Sequence, residues 1–224
     1  GGGVKADEML SKLGIERKMI QGRRITDKET LEVAVMVYAG WINKKLTAQL
    51  QRVGIRAIGL SGPDGRVLTS VKRPVEPINF GEVGDLSCEG VETTLLTQLL
   101  DLGYVPVLSA ITCDGAGALL NTNADAVASA VAQALAIQYR VELYFCFEKM
   151  GVLREDQCTV IEQLSNAEME QGLIRGAFSE GILPKIEWAR KARQLGVQRV
   201  CIGAADQLNA MITQAGLFTE VLAN

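Results

Sequence analysis

At 224 residues, with 48% hydrophobic and 22% charged side chains, the chain can bury a real core and lacks the polar excess of a disordered tail or a fibre. A formal net charge of -3, with Lys and Arg scattered evenly, leaves no basic stripe for a polyanion, and no apolar run reaches the roughly 18 residues a membrane span needs, so neither nucleic acid nor membrane is expected as a partner and the chain reads as cytoplasmic. Histidine is absent and the five cysteines (Cys88, Cys113, Cys146, Cys158, Cys201) form no C-x-x-C pair, which removes Ser-His-Asp hydrolysis, histidine-assisted thiol catalysis and most zinc chemistry.

The chain opens on Gly1, Gly2 and Gly3 ahead of a helical-period stretch from Val4 to Leu13. Such a turn needs a strand leading into it, so a segment upstream of Gly1 is expected. Consecutive glycines let backbone N-H groups approach an anion, and the helix N-terminus adds partial positive charge. Glycines at a chain start also occur as cloning scars. Next comes QGRRITD, in which Arg23 and Arg24 precede a long predicted helix, Asp27 to Val53, capped by Thr26 or Asp27. The planar fork of an arginine suits the α-carboxylate of an amino acid, although paired arginines also serve as plain solvated surface. A strand is predicted from Gly54 to Leu60. The stretch from Ser61 to Cys88, with Pro63, Asp64 and Gly65 followed by short alternating runs, reads as a hairpin inserted in an α/β pattern and placed to cap a substrate pocket.

A helix from Gly90 to Leu102 and a strand from Tyr104 to Thr112 lead to the segment Asn121 to Ala136. There Asn121 and Asn123 offer amides at a strand-to-helix turn, and Asp125 sits in the first turn of a predicted helix, Asn123 to Ile137, where the dipole favours a carboxylate. An N-cap explains one asparagine and leaves the other unexplained. A strand from Val141 to Phe147, helices from Asn166 to Gln171 and from Pro184 to Leu195, a strand from Val197 to Gly203 and a helix from Asp206 to Gln214 complete the pattern. Pro184 suits a first turn, and Lys185 beside it brings a cation to a helix start with free N-H groups, a natural place for phosphate. Elsewhere on a helix a lysine is ordinary solvated surface. The alternation predicts the α/β class, a three-layer αβα sandwich with a mostly parallel central sheet, and places a lobe boundary between Ala136 and Arg140.

In order and spacing these motifs resemble the amino-acid-kinase family, and within it the branch that phosphorylates N-acetylglutamate: GGG at 1–3, QGRRITD at 21–27, LSGPDG at 60–65, FGEVGDL at 80–86, YVPVLSAITCDGAG at 104–117, NTNAD at 121–125 and GILPK at 181–185. The resemblance implies an N-terminal lobe, residues 1–138, for acyl-glutamate binding and dimerisation, and a C-terminal lobe, residues 139–224, for ATP. Gly2 and Gly3 would hold the substrate near the transferred phosphate, Arg24 its carboxylate, and Asn121 with Asn123 the rest of it. Asp125 would organise the catalytic lysines and Lys185 would stabilise the phosphoryl group. Glu148, Lys149, Met150, Gly151, Val152 and Leu153, with the turn Ala177, Phe178 and Ser179, would bind the nucleotide. The implied cofactors are ATP and Mg2+, the latter held mainly through ATP. The family's first strand, with a second catalytic lysine and a glycine pair, would precede Gly1 and is expected to be needed for turnover.

Two positions depart from the pattern. Glu148 stands where the family usually shows aspartate, and Glu180 precedes Gly181 where a second glycine is common. The implied reaction gives an acyl phosphate for arginine biosynthesis, from either the N-acetyl or the N-succinyl glutamate. A glutamate side chain, with a reference pKa of about 4.3, is already an ionised nucleophile and needs no histidine as base. Alternatives are another kinase of the same fold, acting on aspartate, glutamate or UMP, or a non-catalytic ligand-binding relative. The resemblance also implies a homodimer, the usual state of family members, and the run VAVMVYAGWINKKL, with Val33, Met36, Val37, Tyr38 and Trp41, covers more face than one core contact requires.

Overall fold

The computed structural model describes residues 2–20, 23–156, 158–178 and 182–223, and for Arg23 and Leu173 the backbone alone. The chain divides into two compact units, Gly1–Val127 and Ala128–Asn224. The division falls inside the helix Ala124–Ala136, whereas the sequence reading places a lobe boundary between Ala136 and Arg140. Among the described residues no helix is long and apolar enough to cross a membrane.

In the first unit the chain runs through α1 (Gly3–Lys12), β1 (Met19–Ile20), β2 (Arg23–Arg24), α2 (Lys28–Ala34), a π-helical stretch (Val35–Ile42), α3 (Asn43–Arg52), β3 (Ala57–Leu60), β4 (Val71–Lys72), β5 (Gly84–Asp85), α4 (Thr93–Asp101), β6 (Val105–Leu108), β7 (Ile111–Cys113), β8 (Leu119–Asn121) and the start of α5 (Ala124–Ala136). Asp27 is the cap of the long helical run, its Oδ1 accepting from the Thr30 N-H at 2.9 Å. Val33 and Val37 bury themselves against Ala6 and Leu10 of α1. The run is continuous over the predicted span, but its middle is π-helical, and that shift of register brings Asn43 to the strand ends. Asn43, only 3% exposed, donates its amide to Val107 O at 2.7 Å and to Leu60 O at 3.4 Å, tying α3 to the parallel pair β3 and β6.

The strand expected from Tyr104 to Thr112 is two strands. Ser109 N still donates to Leu60 O of β3, whereas Ala110 O already accepts from Thr122 N, so the backbone changes partner there and β7 turns to pair antiparallel with β8. The expected hairpin is present, with β4 antiparallel to β5 and the pairs Lys72–Glu82 (2.7 Å) and Arg73–Asp85 bridging it. Its base is fixed by buried hydroxyls: Ser70 meets Thr112 at 2.6 Å and Thr112 meets Thr122 at 2.8 Å.

The second unit comprises β9 (Glu142–Phe147), β10 (Gln163–Leu164), α6 (Asn166–Arg175), α7 (Leu183–Gln194), β11 (Arg199–Ala204), α8 (Leu208–Thr213) and β12 (Thr219–Val221). Its sheet has the order β10-β12-β11-β9, with β11 parallel to β9, β12 antiparallel to β11 and β10 parallel to β12. All six residues of β11 are buried, as expected of a strand covered on both faces. The core gathers Phe145, Leu164, Met169, Ile186, Val200, Ile202 and Val221. Hydrophobic burial of this kind, about 25 cal/mol per Å² of apolar surface, is what holds the unit.

Candidate active site

The residues proposed for the acyl-amino-acid acceptor all lie in the first unit. Strand β2 ends on Arg24, whose side chain is 11% exposed, and Arg24 Nη2 faces Gly3 O at 3.5 Å. Gly2 must be glycine: an added Cβ would stand 2.4 Å from Ile42 Cδ1 and 2.6 Å from Tyr38 Cδ1. The π-helical stretch thus presses an aromatic and an aliphatic wall on the glycine turn. Burial pushes the Tyr38 phenol up from its usual pKa, and the Arg24 guanidinium beside it pulls it partly back.

Two residues beyond Arg24, the buried Thr26 links this corner to the other motifs. Its N-H donates to Phe80 O at 2.9 Å, its carbonyl accepts from Glu82 N at 2.6 Å, and its Oγ1 accepts from Asn121 Nδ2 at 3.0 Å. Asn121 N in turn donates to Glu82 O at 2.9 Å. QGRRITD, FGEVGDL and NTNAD are therefore neighbouring strands of one wall. The two asparagines divide the work. Asn123 Oδ1 caps α5, accepting from Asp125 N at 2.8 Å and Ala126 N at 3.0 Å, so its carbonyl is already used structurally, while Asn121 belongs to the wall. Asp125 is half-buried in the first turn of α5.

The residues proposed for the nucleotide lie in the second unit. Strands β9 and β11 end level, Phe147 opposite Ala204, so the loop Glu148–Met150 and the turn Ala205–Gln207 emerge side by side at the carboxyl ends of parallel strands, where ligands of open α/β sheets bind. Lys185 Nζ lies 5.9 Å from the Phe145 ring centroid, and its charge partly offsets the burial that pushes the Cys146 thiol up. That puts the lysine beside the last residues of β9. It is half-buried in the first turn of α7, where Pro184 has no N-H and Ile182 has no capping side chain, so the early N-H groups lack intrahelical acceptors.

Val152 is fully buried and its N-H donates to Thr219 Oγ1 at 2.8 Å, the half-buried Leu153 forms a backbone bridge to Val160, and Phe178 packs in the core against Gly172. Glu148, Lys149 and Met150 are exposed, Gly151 is buried against Thr219 and Val160, and Ala177 is half-buried. Ser179, with Gly1, Glu180 and Gly181, lies outside the described residues. Among the described residues no group of three or more His, Cys, Asp or Glu side chains could hold a metal ion.

Sequence reasoning passed over Asp7, Thr26 as a wall residue, and Tyr38 as a neighbour of Arg24. The signal for Asp7 was slight: one carboxylate a turn beyond Gly3 on α1.

In the first unit the glycine turn at the start of α1, the half-buried Arg24 and the strand end bearing Asn121 are thus joined through Gly3 and Thr26, and in the second a helix start bearing Lys185 lies beside parallel strand ends. Residues 1–204 match the model of the Amino acid kinase family, and the chain belongs to that family. Among its relatives, the acetylglutamate kinase of Bacteroides thetaiotaomicron is 46% identical over 210 residues, covering 93% of this chain and 81% of the relative. That of Cytophaga hutchinsonii is 42% identical over 228 residues, covering 100% and 86%. Of solved structures, N-acetylglutamate synthase from Neisseria gonorrhoeae, complexed with coenzyme A and N-acetyl-glutamate, superposes with a TM-score of 0.83 at 22% identity, over all of this chain and 51% of that one. Carbamate kinase from Giardia lamblia bound to AMP-PNP superposes at 0.71 with 11% identity, over 100% and 81%. The fold is that of the amino acid kinases.

Proposed function

We propose that this chain transfers the γ-phosphoryl group of ATP to the side-chain carboxylate of N-acetyl-L-glutamate, or of N-succinyl-L-glutamate, giving an acyl phosphate for arginine biosynthesis. The observation that carries the reading is the likeness, along most of both chains, to relatives named acetylglutamate kinase. In this reading the first unit holds the acceptor. Arg24 takes the α-carboxylate through its fork, and the Gly2 and Gly3 backbone with Asn121 and the free amide of Asn123 hold the remaining polar groups. The second unit holds the nucleotide at 148–153 and 177–179, and Asp125 keeps the role that the resemblance implies.

No base is needed, because the attacking carboxylate is ionised at neutral pH. The chemical problem is repulsion between two anions brought in line. In this reading Lys185 and the N-H groups at the start of α7 neutralise the phosphoryl oxygens. Mg2+, bound mainly through ATP, supplies further positive charge. We also read the molecule as a cytoplasmic homodimer. Met36 and Trp41, exposed in the π-helical stretch, support the dimer, whereas Val33 and Val37 are spent on the core.

Hydroxylamine traps an acyl phosphate as a hydroxamate and leaves a nucleoside diphosphate untouched. ATP-dependent hydroxamate is expected with at least one of N-acetyl- and N-succinyl-glutamate, and the ratio of the two kcat/KM values names the acyl group. Absence of hydroxamate with both, alongside phosphorylation of aspartate, free glutamate or UMP, would sink the assignment. Lys185→Ala should lower kcat about 100- to 1000-fold while ATP affinity changes far less. An unaltered kcat would remove the lysine from the mechanism.

A further inference from the structure

Arg24 does not stand alone. Its Nη1 meets Asp7 Oδ1 at 2.5 Å, and both atoms are sealed from water with no aligned hydrogen-bond partner, so the contact is an ion pair closed off from solvent. Asp7 projects from α1, its other oxygen accepting from Arg17 Nη1 at 3.0 Å. Gly3 O approaches Nη2 at 3.5 Å, and Tyr38 flanks the guanidinium. Three charged groups thus form a row, Arg17, Asp7 and Arg24, with a net charge of +1. A single added carboxylate would neutralise it.

We propose that Asp7 is a positioning residue for the acceptor site, holding one side of the Arg24 fork so that the rest of it is presented to the α-carboxylate. The inference rests on the reading above, in which Arg24 binds that group. A guanidinium carries five N-H donors in a rigid plane, and fixing Nη1 on a helix-borne carboxylate removes its rotation about the end of a long side chain. The α-carboxylate then meets an arginine already aligned and largely stripped of water. Arg17, on the far side of Asp7, shares that carboxylate's charge, so Asp7 orients Arg24 without cancelling its attraction for an anion. An arginine at position 24 without Asp7 would keep its charge and lose its aim.

The test compares binding of N-acetyl-L-glutamate with that of its α-amide, which keeps the reacting side-chain carboxylate and lacks only the α-carboxylate. Calorimetry on the full chain reads both affinities without requiring turnover. The native protein is expected to prefer the acid. In Asp7→Asn, matched to the native fold by circular dichroism, this preference should fall about tenfold, the size of one misaligned charge-assisted hydrogen bond, with ATP affinity within about twofold. Asp7→Glu should recover part of the preference, and it serves as the deciding variant if the asparagine form does not fold. A merely structural Asp7 would weaken acid and amide alike and leave their ratio unchanged, which would overturn the proposal. Arg24→Ala separates this outcome from failure of the underlying reading: if it leaves the ratio intact, Arg24 does not bind the α-carboxylate at all.

Discussion

Asp156 organises a turn with one carboxylate. Its Oδ1 accepts from the N-H groups of Cys158 at 2.9 Å and Thr159 at 2.8 Å, and its Oδ2 accepts from Thr159 Oγ1 at 2.5 Å. The Thr159 hydroxyl, and after it the two backbone donors, favour the ionised form and hold the carboxyl down at about 2. A folded-state pKa below the unfolded value stabilises the turn above the unfolded pKa, and that stabilisation is lost as pH falls through the folded one. The Thr159 amide resonance should therefore stay unchanged from neutral pH to about 4 and titrate with a midpoint near 2, and Asp156→Asn should abolish the titration. A midpoint near 4 would mean that the bonds do not form in solution. At this scale the sequence was uneven. Lys185 and Asn121 could be singled out because each sits in a compact local motif. Asp7 could not, because the partner that gives it meaning is Arg24, and only folding brings the two together.

Elements with strong periodicity were legible: α1, α5, α7, β3, β9 and β11 fall within a few residues of their predicted spans. Three kinds of feature were not. The π-helical stretch is invisible because its residues keep the apolar pattern of an ordinary helix. The break between β6 and β7 is a change of hydrogen-bond partner inside one apolar run. Strands β8, β10 and β12, of two or three residues, are too short to show alternation, and β12 gives the second sheet an antiparallel member that a simple alternation of strands and helices does not predict. The contact of α3 with β3 shows how tightly such elements are specified. A Cβ on Gly59 would stand 2.1 Å from Asn43 Oδ1 and 2.6 Å from Thr47 Oγ1. Asn43 cannot simply swing away without giving up its bonds to Val107 O and Leu60 O. Gly59→Ala should therefore cost about 2 to 4 kcal/mol in urea denaturation, from overpacking and lost hydrogen bonds. A loss below about 0.5 kcal/mol would show that α3 can shift freely over the sheet.

For the molecule as a whole, the open question is what covers the 35–42 stretch. The sequence offered five residues between 33 and 41 as a dimer face, and folding divides them: Val33 and Val37 are almost wholly buried within the protomer, Tyr38 is half-buried, and Met36 and Trp41 remain 54% and 60% exposed. Periodicity could not make that division, since every residue in the run is apolar enough for either use. Leu46, 44% exposed on the adjoining α3, extends the apolar surface. A stable interface buries about 800 Å² on each partner, so these three residues can form its centre and not its whole. In a two-fold symmetric dimer each residue occurs twice, and a substitution at the centre acts on both copies at once. Trp41→Glu would then bring two carboxylates into the buried patch and remove two large aromatic contacts. Light scattering at micromolar concentration should report twice the 24.1 kDa chain mass for the native protein and the single chain mass for Trp41→Glu. Because Trp41 has no part in the Asp7–Arg24 contact, the monomer should keep its preference for acid over α-amide. A native protein already monomeric at that concentration would leave this surface without a role in assembly.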